Sequence, residues 1–96
     1  MKTQKLIKLL QSRNFSEIKN NWSGFEGGSV IFSKPIEGNI YLLFIIWEDH
    51  SKALIAKFYD QRFIGRKEPA EVMFSMSVKD KKDVDYLEKF LQVPIG

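Results

Sequence analysis

The sequence predicts a small α+β domain: a four-stranded, mostly antiparallel sheet flanked by N-terminal and C-terminal helices, in the order α-β-β-β-β-α. Three observations lead to this prediction. The run IYLLFIIW at 40–47 is continuously apolar and has the length and residue types of a buried strand. Amphipathic patterns of helical period occur near both ends of the chain. Shorter apolar segments between them are bounded by glycine, proline and polar residues.

The first helix is predicted over 3–13, TQKLIKLLQSR, with Thr3 as its N-cap. Lys8 interrupts the apolar run and no small-residue cleavage site follows, so we interpret this segment as part of the fold and not as a signal peptide. A second short turn is predicted from Ser16. The apolar side of the helix carries Leu6, Ile7, Leu9 and Leu10.

A glycine-rich loop at 20–29 and a short strand at 30–33 come next, and Lys34-Pro35 is predicted to end that strand. The loop lacks the spacing of a phosphate-binding motif and precedes a strand, whereas phosphate loops lead into a helix. Its glycines are therefore interpreted as turn residues. Trp22 and Phe25 in this loop either pin it to the core or stack on a ligand.

Residues 52–60, KALIAKFYD, are the predicted partner of the central strand. With a connection at 48–51, Trp47 faces Lys52 and Ile45 faces Leu54. Alternation then gives two faces, both almost entirely apolar. The first, named the Leu43 face, carries Tyr41, Leu43, Ile45, Trp47, Leu54, Ala56 and Phe58. The second, named the Phe44 face, carries Ile40, Leu42, Phe44, Ile46, Ala53, Ile55, Lys57 and Tyr59.

A strand that is apolar on both faces needs cover on both sides. Helices on both faces, a sheet that curls over its own core, and a second subunit or partner are the three alternatives. Because only two helices are predicted, we expect both on one face and an apolar patch opposite. Ile40, Leu42, Phe44 and Tyr59 are the predicted protein-binding surface.

The C-terminal part is predicted as a half-buried strand followed by a helix. Val72, Phe74, Met76 and Val78 alternate with Met73, Ser75 and Ser77. A helix then follows over 80–92, with Asp80 as N-cap and Asp83 three residues later, and Pro94 ends it. Its apolar side consists of Val84, Leu87, Phe90 and Leu91.

The residue inventory gives little support for catalysis. Cysteine is absent and His50 is the only histidine, in the turn EDHS, so no nucleophile, metal set or acid–base pair stands out. The prediction is a non-enzyme without cofactor or metal. The eight-residue apolar run is too short to cross a bilayer, which needs about 20 residues. One cytoplasmic domain over 1–96, with no membrane partner, is expected.

The basic segment 57–67 is the best candidate for a nucleic-acid site. Interleaved cations and rings suit single-stranded RNA or DNA, because bases stack on rings while cations contact phosphates. The alternative is a hairpin end whose rings lie in the core, and the formal charge of +3 requires neither. The residues concerned are Lys57, Arg62, Phe63, Arg66 and Lys67, with Trp22 and Phe25 as additions.

The preferred function is non-catalytic protein binding through an apolar sheet face, as a homodimer or as a small inhibitor, immunity or adaptor protein. RNA or single-stranded nucleic-acid binding through 57–67 is the alternative. The two hypotheses can be distinguished, since only the affinity for nucleic acid should fall steeply as the salt concentration rises.

Overall fold

The computed structural model describes residues 3–18, 29–66 and 68–92, without the side chains of 90–92. It confirms the α+β class and the two terminal helices, but the antiparallel sheet has five strands and not four. Trp22, Phe25, Lys67, Pro94 and the side chains of Phe90 and Leu91 lie outside this description. The elements are α1 Thr3–Ser12, β1 Ser16–Ile18, β2 Val30–Glu37, β3 Ile40–Ile46, β4 Ser51–Lys57, a 3-10 helix Gln61–Phe63, β5 Glu71–Ser77 and α2 Lys81–Gln92.

Helix α1 packs through Leu6 and Leu10, which are fully buried. Helix α1 begins at Thr3, whose hydroxyl donates to the carbonyls of Trp47 and Glu48 at 3.3 and 3.2 Å. These hydrogen bonds fix the start of the helix to the turn between β3 and β4. The helix ends where Asn14 takes a positive φ of 67°, a conformation that asparagine tolerates better than most residues.

The predicted N-cap of α2 is confirmed. The Asp80 carboxylate accepts from the Lys82 N–H at 2.9 Å, and Asp83 accepts from the Lys79 N–H at 2.7 Å. The first contact satisfies one of the main-chain donors that a helix start leaves without partners, and the second binds the N–H of the residue before the N-cap. Val84 and Leu87 face the core as predicted.

The two helices are joined by an ion-pair cluster. Arg13, just after α1, donates through Nη1 to Glu88 at 2.7 Å and through Nη2 to Asp85 at 2.8 Å. The hydrogen bond to Glu88, and then the one to Asp85, raises the pKa of Arg13 above its ordinary value. Glu88 and Asp85 lie three residues apart on one side of α2, so a single guanidinium reaches both carboxylates.

Two segments of the sheet differ from the prediction. Residues 16–18 form strand β1, paired with β2, where a turn was predicted. Three residues are too few for a periodic pattern, and pairing with β2 supplies the hydrogen bonds that define this strand. Strand β2 also continues past Pro35 to Glu37, because the register is irregular between these two residues. Proline lacks an N–H and is tolerated at such irregularities.

The central hairpin pairs as predicted in direction but not in register. Ile45 faces Lys52 and Leu43 faces Leu54, an offset of two residues from the predicted pairs. The Trp47 N–H donates to the His50 carbonyl at 2.8 Å and closes the connection. Because side chains alternate with a period of two, this offset leaves the composition of the two faces unchanged.

Both helices cover the Phe44 face. Leu6, Leu10, Val84 and Leu87 from the helices join one buried cluster with the β3 side chains of that face. Phe15 packs edge-on against Phe44 with ring centroids 5.4 Å apart. The Phe44 face is therefore the main core of the domain.

The Leu43 face is covered by a different part of the chain. Phe58 and Ile64, from the connection between β4 and β5, join Leu43 and Ile31 in a second buried cluster. The Phe58 ring contacts Tyr41 edge-on at 6.2 Å between centroids. Gly65 is buried beside Ile64 with φ 78°, a backbone conformation that favours glycine. Both apolar faces of the central strand are thus buried within one chain.

Candidate functional site

The exposed apolar surface of the described residues is concentrated on strand β5. Val72, Met73 and Phe74 are 48%, 52% and 41% exposed, and they are consecutive. Only Met76 of this strand is half-buried, while the other residues are exposed. The predicted strand is confirmed, but its inward-facing residues are buried only toward its end, where Met76 is half-buried and Val78 is buried.

A bulge in β5 turns its apolar side chains to both faces of the sheet. Ile55 faces Phe74, whereas the next residue of β4, Ala56, faces Val72, which makes Met73 an additional residue. Phe74 therefore lies on the Phe44 face with Ile55, and Val72 lies on the Leu43 face with Ala56.

The outer edge of β5 presents main-chain hydrogen-bonding groups. The Val78 N–H donates inward to the Ser51 carbonyl at 3.0 Å. Because these groups alternate in direction along an antiparallel strand, those of Ser77 and Ser75 point away from β4. Among residues 3–18, 29–66 and 68–92, no strand pairs with this outer side. Strand β5 thus offers both unpaired backbone groups and apolar side chains.

Two of the four residues of the predicted protein-binding surface lie in the core. Leu42 and Phe44 are 1% and 0% exposed beneath the helices, and Ile40 is half-buried. Tyr59 is 76% exposed, because it follows the end of β4 and leaves the sheet. The prediction that this face is open is wrong, since both helices lie on the face from which these residues were chosen.

The described residues of the basic segment 57–67 differ in their ion pairing and exposure. Arg62 donates from Nε and Nη2 to the two Asp60 oxygens at 3.1 and 3.2 Å. These hydrogen bonds lower the pKa of Asp60 and raise that of Arg62, so both groups stay charged. Phe63 is half-buried against the Leu43-face cluster. Lys57 and Arg66 are exposed, and neither has an ion pair with any described residue.

His50 lies in the exposed turn between β3 and β4. Its ring stacks on Trp47 with centroids 4.4 Å apart, and Nδ1 is 2.6 Å from Asp49 Oδ1. The hydrogen bond with His50 lowers the pKa of Asp49. In the described part of the chain, no three histidine, cysteine, aspartate or glutamate side chains are grouped so that they could hold a metal ion.

No protein-family model, curated protein or solved structure matches this chain. Neither α1 nor α2, the helices of the described part, has the length and apolar content to span a bilayer. The edge position of β5 was missed by the sequence analysis, although one signal pointed to it. Strands joined in sequence by hairpins form a meander, and the last strand of a meander lies at an edge.

Proposed function

We propose that this protein is a non-catalytic protein-binding module that binds an extended polypeptide segment along the outer edge of β5. The observation that carries the proposal is the edge strand itself, seven residues long with three consecutive exposed apolar side chains. His50 in an exposed turn supports the non-catalytic assignment. The absence of cysteine fits a reducing compartment, and we propose the cytoplasm.

Strand addition is a recurring mode of peptide recognition that matches the two kinds of group on β5. Main-chain hydrogen bonds supply affinity, and contacts with alternate side chains supply specificity. Natural edge strands are usually protected by lysine, proline or short length. Residues 72–78, VMFSMSV, contain neither lysine nor proline, and a bulge is the one protective feature among them. Such an edge favours association with another strand.

Charging the exposed edge should abolish capture of a protein partner. We expect Val72→Lys combined with Met73→Glu to lose the stoichiometric partner that the wild-type protein captures from nuclease-treated lysate of its native host. Two opposite charges keep the net charge constant, and both positions are about half exposed, so the fold is retained. The measurement is affinity capture followed by mass spectrometry.

Tyr86→Ser on α2 is the matched control, since it removes a side chain that is 61% exposed outside β5. This variant should capture the partner as the wild-type protein does. Unchanged capture by the Val72/Met73 variant, with its circular dichroism spectrum preserved, would contradict the proposal.

Nucleic-acid binding is the second candidate, and the exposure of Tyr59 favours it. Its ring is free to stack on a base, and Lys57 lies two residues away. Arg66 follows on the same connection, where the Arg66 N–H donates to the Phe63 carbonyl. Arg62 contributes less to this candidate than predicted, because its guanidinium is ion-paired with Asp60.

The second candidate predicts opposite effects of two charge changes on the affinity for a labelled single-stranded RNA, measured by fluorescence anisotropy. Lys57→Gln with Arg66→Gln should weaken binding. It should also make the slope of log K against log[salt] less steep by about 0.7 for each cation lost. Asp60→Asn should strengthen binding, because it releases the Arg62 charge. Affinity that neither variant changes, or that salt does not affect, would exclude this function.

A further inference from the structure

We propose that the segment bound by β5 is the β5 strand of a second copy of this chain, paired antiparallel about a two-fold axis at Ser75. The two five-stranded sheets then form one continuous sheet. This inference rests on the proposed function, because it names the partner of the same edge.

The direction of the backbone groups restricts the register. Those of Ser75 and Ser77 point outward, so these residues form the hydrogen-bonded positions of a new strand pair. With Ser75 opposite the same residue of the other copy, Ser77 lies opposite Met73. A two-fold axis makes this arrangement self-complementary, since each contact occurs twice.

The side chains agree with this register. Phe74 lies opposite Met76 of the other copy, on the Phe44 face of both sheets. This is a non-hydrogen-bonded position, where facing side chains approach most closely. Phenylalanine and methionine make a favourable sulfur–aromatic contact, and the symmetry supplies two of them. On the other face, the facing Ser75 side chains are small enough to pack without a clash.

The charges favour an identical strand. Like charges that face each other destabilise a strand pair, and a self-paired strand with a charge at its centre would have this defect. Residues 72–78 carry no charge. Glu71 precedes them and Lys79 follows them, so antiparallel pairing brings opposite charges to each end of the interface.

The other edge of the sheet explains why the assembly closes at two copies. Pairing β5 with β1 of the next copy would be heterologous and would extend as a filament. Strand β1 has only three residues, of which Ser16 and Glu17 are exposed. So short an edge, with a charge at its centre, is a poor template. The isologous β5 pair is therefore the favoured association.

Sedimentation velocity over a concentration series tests the dimer, and Ser75 tests its symmetry. The wild-type protein should shift from monomer to dimer as its concentration rises. Ser75→Lys and Ser75→Glu should each weaken dimerisation by at least about tenfold, because the two-fold axis places the charge opposite its own copy. An equimolar mixture of the two variants should dimerise again, since lysine then faces glutamate.

Ser16→Lys is the matched control: it places the same substitution at an exposed serine of the opposite edge strand and should dimerise like the wild-type protein. A wild-type protein that stays monomeric at all concentrations would overturn the inference. So would a dimer that Ser75→Lys leaves intact, and failure of the mixture to re-form dimers would overturn the axis at Ser75. If the wild-type protein is monomeric but Val72→Lys with Met73→Glu still loses a captured protein, the proposed function stands without this inference.

Discussion

Phe44→Ala is expected to lower the free energy of unfolding by about 3–5 kcal/mol, measured by urea denaturation. The Phe44 ring is fully buried and packs edge-on against Phe15, so truncation leaves a cavity between the sheet and the helices. Domains of this kind are stable by roughly 5–15 kcal/mol, and the loss would therefore be a large part of the total.

Tyr59→Ala provides the control, with an expected change within about 0.5 kcal/mol, because its side chain is mostly in water. The two residues belong to the same sequence-predicted surface, and the structure separates them into core and exterior. Similar, small effects of both substitutions would show that the helices do not cover the Phe44 face.

Leu43→Ala is expected to cost about 2–5 kcal/mol, although Leu43 points away from both helices. Its side chain is fully buried in the cluster that includes Phe58 and Ile64. Adjacent residues of β3 should therefore both be sensitive to truncation, whereas a sheet with one solvated face shows this only at alternate positions. The same urea experiment measures the effect.

Val72→Ala is the comparison on the same face, because Val72 stands opposite Ala56 at the exposed edge. It should cost less than about 1 kcal/mol, since truncating a half-exposed side chain leaves no cavity. A loss for Leu43→Ala as small as this one would mean that the Leu43 face is open in the monomer.

The central hairpin could be predicted from sequence because its signal is strong and local. Eight consecutive apolar residues followed by EDHS fix a strand and its end, and the side-chain period of two assigns the faces. This assignment withstood an error of two residues in the register. The N-cap of α2 could be predicted equally well, because Asp80 and Asp83 accept hydrogen bonds from N–H groups close to them in the sequence.

Features that depend on distant contacts could not be predicted in this way. The pattern shows that both faces of β3 are buried, but the same apolar side chains fit a helix or a loop equally well. Tertiary packing alone places the helices over Phe44 and the 58–64 connection over Leu43. The assignment of Phe44 and Leu42 to a binding surface failed for this reason.

The candidate site on β5 was hidden by a similar limit. Alternation from Val72 to Val78 indicates a strand, but it does not count the strands beside it. The bulge at Met73 also interrupts the alternation of side chains between the two faces, although the apolar pattern of the sequence continues through it. The edge position of β5 and the bulge at Met73 together leave Val72, Met73 and Phe74 exposed.

The order of the strands, β1-β2-β3-β4-β5, has a consequence for how the chain reaches its native state. Every strand pairs with its neighbour along the chain, so each pairing closes a short loop and loses little chain entropy. Topologies dominated by such local contacts fold faster than those with distant pairings. Because β5 is the last of the described strands and pairs with β4, the strand before it in the chain, its outer edge forms without any later strand.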